Sequence, residues 1–319
     1  MDHINNLKML SELKHRFSNR ENIIRFLKNN TGSKMNSVSD ILISYDLQAG
    51  SYIRGYYKDR SKRDLFAESL AKVLDDLGDI STLLEAGIGD GVSLGNVLQR
   101  MERKPNQIYG FDLSWSRVKY ASVFLNQLSL NSNELELFTG DMFATPFMNR
   151  SMDVVFTVHA VEPNGGREQD ALTELYRIAR KYLVLLEPSY EFADDRAKQR
   201  MLSHGYVTNL YQTAKDLGYD VIEHKLFDVS LNPLNPTGLM VIRKREEDSV
   251  FQEKNVVSHL CCPLTKTPIR RMKSAYYSPE SMLAYPIIDG IPCLLPQNAI
   301  VATHFMDFFQ GEEDERYGI

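Results

Sequence analysis

The chain has 319 residues, with 37 Lys and Arg against 42 Asp and Glu, and so carries a formal charge of −5 at pH 7. This length allows two domains, and 43% hydrophobic with 25% charged residues excludes collagen-like, low-complexity and wholly disordered chains. The acidic balance argues against a strongly basic nucleic-acid binder, because phosphate contacts need clustered Lys and Arg. Three cysteines are too few for a disulfide-rich secreted scaffold.

The first residues of the chain are helical in pattern. They lack the apolar core of a signal peptide, and no window of the chain reaches the ~18 apolar residues that span a membrane. We therefore expect a soluble, cytoplasmic protein without a membrane partner. Leu10, Leu13 and Phe17 recur at helical spacing, and tyrosines gather after Ser37. Residues 1–60 are thus predicted to form a helical N-terminal segment.

From Ser81 onward, short apolar strands alternate with helices, the last of which is predicted over Asp195–Leu217. The predicted strands are Thr82–Ala86, Gln107–Asp112, Leu135–Phe138, Met152–Val158, Tyr182–Leu186, Tyr219–Phe227 and Gly238–Ile242. This order predicts an α/β fold with a mostly parallel sheet covered by helices on both faces. The last two strands are close in sequence and are expected to pair antiparallel.

The pattern changes again after the charge run Lys244–Asp248, which is typical of a solvated linker. It separates a larger unit over residues 61–248 from a small β-rich unit over residues 249–319. Within the small unit, Asp289-Gly290 between apolar runs predicts a hairpin.

The most informative motif is a glycine loop at the end of the first strand, EAGIGDG (85–91). Glycines at every second position permit a tight turn and a close approach of backbone to a ligand. Alone, the loop also fits an ordinary turn in another α/β protein. Its spacing differs from that of a dinucleotide fingerprint, and no basic cluster accompanies it.

Acidic side chains follow the next two strands at the same edge of the predicted sheet. A carboxylate at Asp112 can accept hydrogen bonds from ribose hydroxyls, and one at Asp141 can accept from an adenine amine. Met142 can cover a ring face. These residues predict a site for a nucleoside that carries little negative charge.

Over residues 60–245, the order and spacing of four short segments resemble those of the class I S-adenosylmethionine-dependent methyltransferases. The matching segments are EAGIGDG (85–91), YGFDLS (109–114), TGDMF (139–143) and DVVFTVHAVE (153–162). The resemblance implies a Rossmann-like sheet of seven strands, S-adenosylmethionine as the cofactor, and methyl transfer.

Carried onto this chain, the resemblance implies a set of cofactor contacts. They are Glu85, Gly87 and Gly89 around the methionine part, Asp112 at the ribose, and Asp141 and Met142 at the adenine, with Leu113 as a further cofactor contact. Members of that family often fold a helical segment over the cofactor, which here places Tyr45, Tyr52 and Arg54 in a lid. The alternative for these aromatics is simple core packing.

The predicted catalytic residues are His159 and Glu162, after the fourth strand. His159 would lie near the cofactor and the acceptor, and histidine can accept a proton near neutral pH. A structural histidine at a strand end is the alternative. Glu187 and His204 are further candidate bases. The segment lacks Asn-Pro-Pro-Tyr, which disfavours methylation of an adenine or a glutamine amide nitrogen.

Residues 257–300, above all YPIIDGIPCLLP (285–296), resemble the small activating subunit of several transfer-RNA, ribosomal-RNA and release-factor methyltransferases. Some members of that family bind zinc through two cysteine pairs. Here Cys261, Cys262 and Cys293 make a poor tetrahedral set even with His259, so no metal is predicted. The resemblance implies that the small unit packs in cis on the larger one.

The leading hypothesis is methylation of a small molecule, such as a sugar or nucleotide-sugar. The activator-like unit leaves RNA or protein as the alternative acceptor. A modest basic cluster lies near it, consisting of Lys254, Lys266, Arg270, Arg271 and Lys273. A cofactor-binding scaffold without catalysis is the third hypothesis.

Overall fold

The computed structural model describes residues 8–32, 35–130, 134–245 and 259–308. The helices up to the end of the main sheet are α1 (Leu10–Ser18), α2 (Ile23–Thr31), α3 (Val38–Leu47), α4 (Ser51–Lys58), α5 (Arg60–Asp76), α6 (Val92–Leu98), α7 (Trp115–Gln127), α8 (Glu168–Ile178), α9 (Asp195–His204) and α10 (Leu210–Asp216). The strands of that sheet are β1 (Thr82–Ala86), β2 (Gln107–Asp112), β3 (Leu135–Thr139), β4 (Met152–Val158), β5 (Ala179–Pro188), β6 (Asp220–Leu226) and β7 (Thr237–Arg243).

The seven strands form one sheet in the order β3-β2-β1-β4-β5-β7-β6. Strands β1 to β5 are parallel, whereas β7 pairs antiparallel with both β5 and β6. The predicted α/β fold, its seven strands and the antiparallel pairing of the last two are confirmed. Connections leave the sheet in opposite directions at β1 and β4, which opens a crevice at the carboxyl ends of these strands.

Helices cover both faces of the sheet, and neighbouring residues of β1 face opposite layers. Leu83 belongs to the core that contains Leu70 of α5 and Leu94 of α6, and Leu84 belongs to a second core that contains Leu175 of α8. Because both faces are covered, β1 is buried along its whole length and is apolar except near its ends.

The single helix predicted over Asp195–Leu217 is wrong, because the chain turns between α9 and α10. Gly205 adopts a φ of 68°, the left-handed conformation that commonly ends a helix. Just beyond it, the N–H of Val207 donates to the carbonyl of Glu162 over 2.9 Å. This bond brings the end of α9 over the loop that follows β4.

The N-terminal helices form a cap over the carboxyl edge of the sheet. Helix α3 begins at a capping box, in which the Ser37 side chain accepts from the Asp40 N–H and the Asp40 side chain accepts from the Ser37 N–H. Its far end is tied to the sheet, because the hydroxyl of Ser114 donates to Asp46 over 2.6 Å. The capping box thus fixes where α3 begins, and the Ser114–Asp46 bond holds its far end on the sheet.

The C-terminal unit is a small antiparallel sheet. Its strands are β8 (Arg270–Arg271), β9 (Ala275–Ser278), β10 (Leu283–Ile288), β11 (Ile291–Pro292) and β12 (Ile300–Val301), and short 3-10 turns cover Pro296–Asn298 and Phe305–Phe308. Asp289 and Gly290 connect β10 to β11 with φ values of 48° and 79°. A two-residue hairpin turn with positive φ at both positions matches the right-handed twist of the strands that it joins.

The small unit lies against the β3 edge of the main sheet. The N–H of Leu294 donates to the carbonyl of Thr139 over 3.0 Å, and the N–H of Cys261 donates to that of Pro146 over 2.9 Å. Leu294 and Tyr285 are fully buried in the same apolar cluster as residues of the main sheet. The two parts thus share one core.

Within the described segments, no helix is long and apolar enough to cross a membrane. The three cysteines are free and buried. The described residues contain no group of three or more His, Cys, Asp or Glu side chains placed to hold a metal ion.

Candidate active site

A cavity of about 600 Å³ lies at the carboxyl ends of β1, β2 and β4, beneath α3 and α4. Its volume falls within the ~300–1,000 Å³ typical of small-molecule sites. It lies where an open α/β sheet is expected to bind ligands. Most of the predicted site residues line it: Tyr45, Tyr52, Glu85, Gly87, Gly89, Asp112, Leu113, Met142, His159 and Glu162.

The glycine loop forms the floor of the cavity. Gly87 has a φ of 77°, and a Cβ atom there would lie 2.3 Å from the Cβ of Ala160. The N–H groups of Gly87 and Ile88 both donate to the carbonyl of Phe111, each over 2.8 Å. The loop is thereby tied to the end of β2, and only glycine fits at its first position.

Two buried carboxylates face the cavity above this loop. Glu85 is 1% exposed, and its Oε2 has no hydrogen-bond partner. Asp112 accepts from the N–H of Gly89 through Oδ2 and from the N–H of Ser114 through Oδ1, each over 3.0 Å. Burial raises the pKa of both carboxyl groups. Each Asp112 oxygen retains a second lone pair for a ribose hydroxyl, and the free Glu85 oxygen suits a ligand that brings a donor.

Asp141, predicted to contact the adenine, does not line the cavity. Its carboxylate accepts from the N–H of Phe143 over 2.9 Å. Its neighbours Gly140, Met142 and Phe143 do line it. The Asp141 carboxylate thus stabilises the turn after β3, and its neighbours in the chain form this part of the cavity lining.

The lid differs from expectation at Arg54. Tyr45 and Tyr52 reach the cavity, but Arg54 is exposed on α4 and does not line it. Residues two apart on a helix point about 200° apart, so Tyr52 and Arg54 cannot both face inward. The guanidinium beneath these two tyrosines belongs to Arg117 of α7, which was not predicted.

Arg117 and Asp90 form a buried ion pair beneath the lid. Arg117 Nε lies 3.2 Å from Asp90 Oδ1, and the guanidinium stands over the Tyr52 ring at 4.4 Å and the Tyr45 ring at 5.4 Å. Such contacts orient aromatic rings through cation–π attraction. Two sequence signals point to this pair in hindsight: an acid inside the glycine loop, and an arginine in the first turn of the helix after YGFDLS.

His159 and Glu162, the two predicted catalytic residues, lie together. His159 Nδ1 lies 2.7 Å from Glu162 Oε2, and its Nε2 lies 2.8 Å from the hydroxyl of Thr237. Burial lowers the pKa of His159, but the hydrogen bond and charge of Glu162 outweigh it, so the pKa is raised. His159 also adopts a φ of 53°, a strained conformation for a residue that is not glycine. Both ring nitrogens of His159 therefore have hydrogen-bond partners within the fold.

Glu187, a further candidate base, supports the loop instead. It accepts hydrogen bonds from the hydroxyl of Thr157 over 2.6 Å and from the N–H groups of Ala160, Val161 and Glu162 over 3.0–3.1 Å. Burial raises its pKa to about 7. It holds the His159–Glu162 segment and does not line the cavity.

The wall opposite the glycine loop contains polar residues that the sequence did not single out. Arg200, near the end of α9, and Asn235, just before β7, both line the cavity with Tyr206. Burial and the neighbouring carboxylate of Glu162 raise the pKa of Tyr206. These residues come from segments far apart in the chain, which is why no motif reveals them.

The comparison with protein families matches residues 83–182, about a third of the chain, to a model described as a methyltransferase domain. This segment runs from β1 into β5 and includes the glycine loop, Asp112 and the His159–Glu162 pair.

Curated relatives match a shorter stretch. The chain is 41% identical over 59 residues to Protein preY, mitochondrial, of Homo sapiens, which is 18% of this chain and 52% of that protein. It is 43% identical over 49 residues to UPF0434 protein GOX0764 of Gluconobacter oxydans, 15% of this chain and 83% of that protein. The chain thus spans about half the length of the first relative.

Among solved structures, the chain is similar to magnesium protoporphyrin IX methyltransferase from Synechocystis PCC 6803 with bound SAH. The two are 14% identical with a TM-score of 0.46, over 58% of this chain and 85% of the other. It is also similar to geranyl diphosphate C-methyltransferase from Streptomyces coelicolor A3(2), at 12% identity and a TM-score of 0.44, over 55% and 77% of the two chains.

Proposed function

We propose that this chain, which carries a class I S-adenosylmethionine-dependent methyltransferase domain and a stretch belonging to the UPF0434 family, methylates a small-molecule acceptor. The main support for this proposal is the covered cavity. It joins the glycine loop and Asp112 on one side to the His159–Glu162 pair on the other, under the N-terminal helices. A cavity of this size suits a nucleoside cofactor with a small acceptor beside it.

The residues around the glycine loop fit the cofactor. When bound, S-adenosylmethionine supplies a methyl group on a positively charged sulfur. Asp112 would hold the ribose hydroxyls, and the free oxygen of Glu85 would accept from the ammonium group of the methionine part. Tyr45 and Tyr52, stacked on Arg117, would close the site and exclude water.

Glu162 is the proposed general base. Its Oε2 accepts from Asn235 over 3.1 Å and is paired with His159, which leaves Oε1 to take a proton from the acceptor. Bound S-adenosylmethionine would supply its methyl group to the acceptor's lone pair, and the electron pair of the carbon–sulfur bond would stay on sulfur. The proton of the acceptor then goes to Glu162. His159 is a positioning residue in this scheme.

A calorimetric measurement of S-adenosylhomocysteine binding to the full chain tests the cofactor site. Asp112→Ala should weaken binding roughly 10- to 100-fold, since it removes hydrogen bonds to a charged group. Asp79→Ala, exposed before β1, is the matched control and should bind as the wild type does. Equal affinity in all three proteins would reject the ribose assignment.

Methyl transfer from labelled S-adenosylmethionine to a small-molecule extract tests the base. Glu162→Gln should lower kcat about 100-fold while leaving S-adenosylhomocysteine affinity unchanged. Glu223→Gln, which changes a half-buried carboxylate on β6 outside the cavity lining, is the control. An unchanged kcat would show that positioning alone suffices.

RNA is less well supported as the acceptor, because one member of the predicted basic cluster is engaged within the fold. Lys266 donates to the carbonyl of Thr145 over 2.8 Å and pairs with Glu174 at 3.3 Å, so its charge is used within the fold. Lys254 lies outside the described residues. Label found in RNA and not in small molecules would replace the proposal with the alternative.

The domain organisation is also a proposal. We infer a helical lid over residues 1–60, a methyltransferase unit over 61–248 and a C-terminal unit over 249–319 that serves as a permanent cover in cis. The shared apolar cluster of Leu294, Tyr285 and the main sheet supports this role. The second boundary falls within residues 246–258, which lie outside the described residues.

A further inference from the structure

One wall of the cavity carries a cation without a counter-charge. Arg200 lines the cavity from α9, and its Nη1 is buried without a hydrogen-bond partner. Among the described residues, no carboxylate lies within ion-pair distance of it, and its guanidinium stands 5.4 Å from the ring of Tyr206. A buried guanidinium donor normally has a partner, so this one is available to a ligand.

An unmatched acceptor lies on the same wall. Asn235 is 7% exposed, and its Nδ2 donates to Glu162 Oε2 over 3.1 Å. That bond fixes the orientation of the amide, because its other atom, Oδ1, must then face away from Glu162. Oδ1 is buried and has no hydrogen-bond partner. The wall therefore presents one unmatched cationic donor and one unmatched neutral acceptor.

Glu162 forms no ion pair with Arg200; within the described residues its charge-bearing contact is with His159, at 2.7 Å. The positive charge of Arg200 instead acts on the other side chains of the wall: it opposes protonation of His159 and lowers the pKa of Tyr206 against the larger effect of burial. A negatively charged ligand group here would face a cation that has no ion-pair partner among the described residues.

Guanidinium groups form short, paired hydrogen bonds with the two oxygens of a carboxylate or phosphate. We propose that Arg200 binds an anionic group, a carboxylate or a phosphate monoester, on the methyl acceptor, while Asn235 Oδ1 accepts a hydrogen bond from an N–H or O–H group of the same molecule. This inference rests on the proposed function and specifies its substrate class: a small anionic acceptor, held beside Glu162.

The test uses the full chain, tritiated S-adenosylmethionine and a deproteinised small-molecule extract. Labelled products are separated by anion exchange at pH 8. We expect the label in the retained, anionic fraction, and Arg200→Gln should lower its formation at least 10-fold through a higher acceptor KM. Arg200→Lys should fall between the two, since it keeps the charge but not the paired geometry. Arg196→Gln, exposed on the same helix, should match the wild type.

Treatment of the retained product with alkaline phosphatase distinguishes the two anions. Loss of retention identifies a phosphate monoester, and unchanged retention identifies a carboxylate. Both results support the inference.

Label confined to neutral or cationic products, or unaffected by Arg200→Gln, would overturn the anionic acceptor while leaving small-molecule methylation intact. In a parallel assay with the whole, unfractionated extract, label only in macromolecules would overturn the proposed function and this inference with it. Calorimetry with S-adenosylhomocysteine completes the test: Arg200→Gln should bind it with wild-type affinity, and a 10-fold loss would assign Arg200 to the cofactor instead.

Discussion

The backbone N–H of Tyr52 donates a hydrogen bond to Asp90 Oδ2 over 2.9 Å. This bond joins the start of α4 to the glycine loop between β1 and α6. The other oxygen of Asp90 is paired with Arg117, whose guanidinium lies against the Tyr52 ring. One buried carboxylate therefore connects the lid, the loop and the first helix after β2, and closure of the lid is coupled to the shape of the loop.

Asp90→Ala should release the lid. It removes the Tyr52 contact and leaves Arg117 buried without its partner, a loss of about 1–3 kcal/mol for the unmatched groups. We expect faster amide hydrogen exchange in α4 without ligand, and S-adenosylhomocysteine binding weakened about 10-fold. Asp59→Ala, exposed at the end of the same helix and without a capping bond, is the control. Equal exchange in α4 of both variants would argue against a clamp.

Gly87→Ala should disrupt the glycine loop. The new Cβ would lie 2.3 Å from that of Ala160, and the φ of 77° disfavours any side chain. Gly78→Ala is a matched control, because Gly78 also has a positive φ but has open space around it. We expect Gly87→Ala to abolish cofactor binding and Gly78→Ala to lower stability by only about 1 kcal/mol.

A second substitution separates the two causes. Ala160→Gly removes the atom that the new Cβ would strike, so adding it to Gly87→Ala should recover part of the lost binding. If the double variant binds no better than Gly87→Ala, the backbone conformation and not the contact is decisive.

The carboxylate of Glu174 should make stability depend on pH in the acid range. It accepts from Thr145 and Arg177 and pairs with Lys266 of the C-terminal unit. These partners outweigh burial and lower its pKa to about 2 from 4.5. A lowered pKa stabilises the fold above pH 4.5, and the contribution of about 3 kcal/mol is lost as the pH falls from 4.5 through 2.

Denaturant unfolding between pH 2 and pH 7 checks this. Glu174→Gln should be less stable by about 2–3 kcal/mol at pH 7 and should show a flatter pH dependence below pH 4.5. Asp170→Asn, an exposed carboxylate on the same helix, should keep the wild-type slope. Parallel pH curves for Glu174→Gln and the wild type would contradict the assignment.

Removal of residues 250–319 should give insoluble or unstable protein, because the main sheet shares its core with the small unit. Leu294→Ala offers a milder version: this side chain is fully buried, and its truncation should cost about 2–5 kcal/mol. Leu264→Ala, 54% exposed in the same unit, should change the free energy of unfolding by less than about 0.5 kcal/mol. A stable, active truncated protein would show that the unit is an independent attachment.

Much of the fold is local in origin and was predictable from the sequence. The apolar runs of β1 to β7, the intervening helical spacing and the Asp289-Gly290 turn are short-range patterns, and each maps onto an observed element. The single helix predicted over Asp195–Leu217 was wrong for a local reason too. Gly205 adopts a left-handed conformation that ends α9, although the helical spacing of apolar residues continues beyond it.

The motif EAGIGDG and the acids after β1 and β2 were enough to place one half of the cavity, because parallel strands bring their carboxyl ends to one edge whatever the rest of the chain does. The other half depended on tertiary structure. Arg117 replaced Arg54 as the cation at the lid because helix geometry turned one inward and the other out. Arg200 comes from α9 and Asn235 from the segment before β7, and both line one wall of the cavity. Folding alone places Arg200 there without an ion-pair partner among the described residues, so no local sequence pattern could predict it.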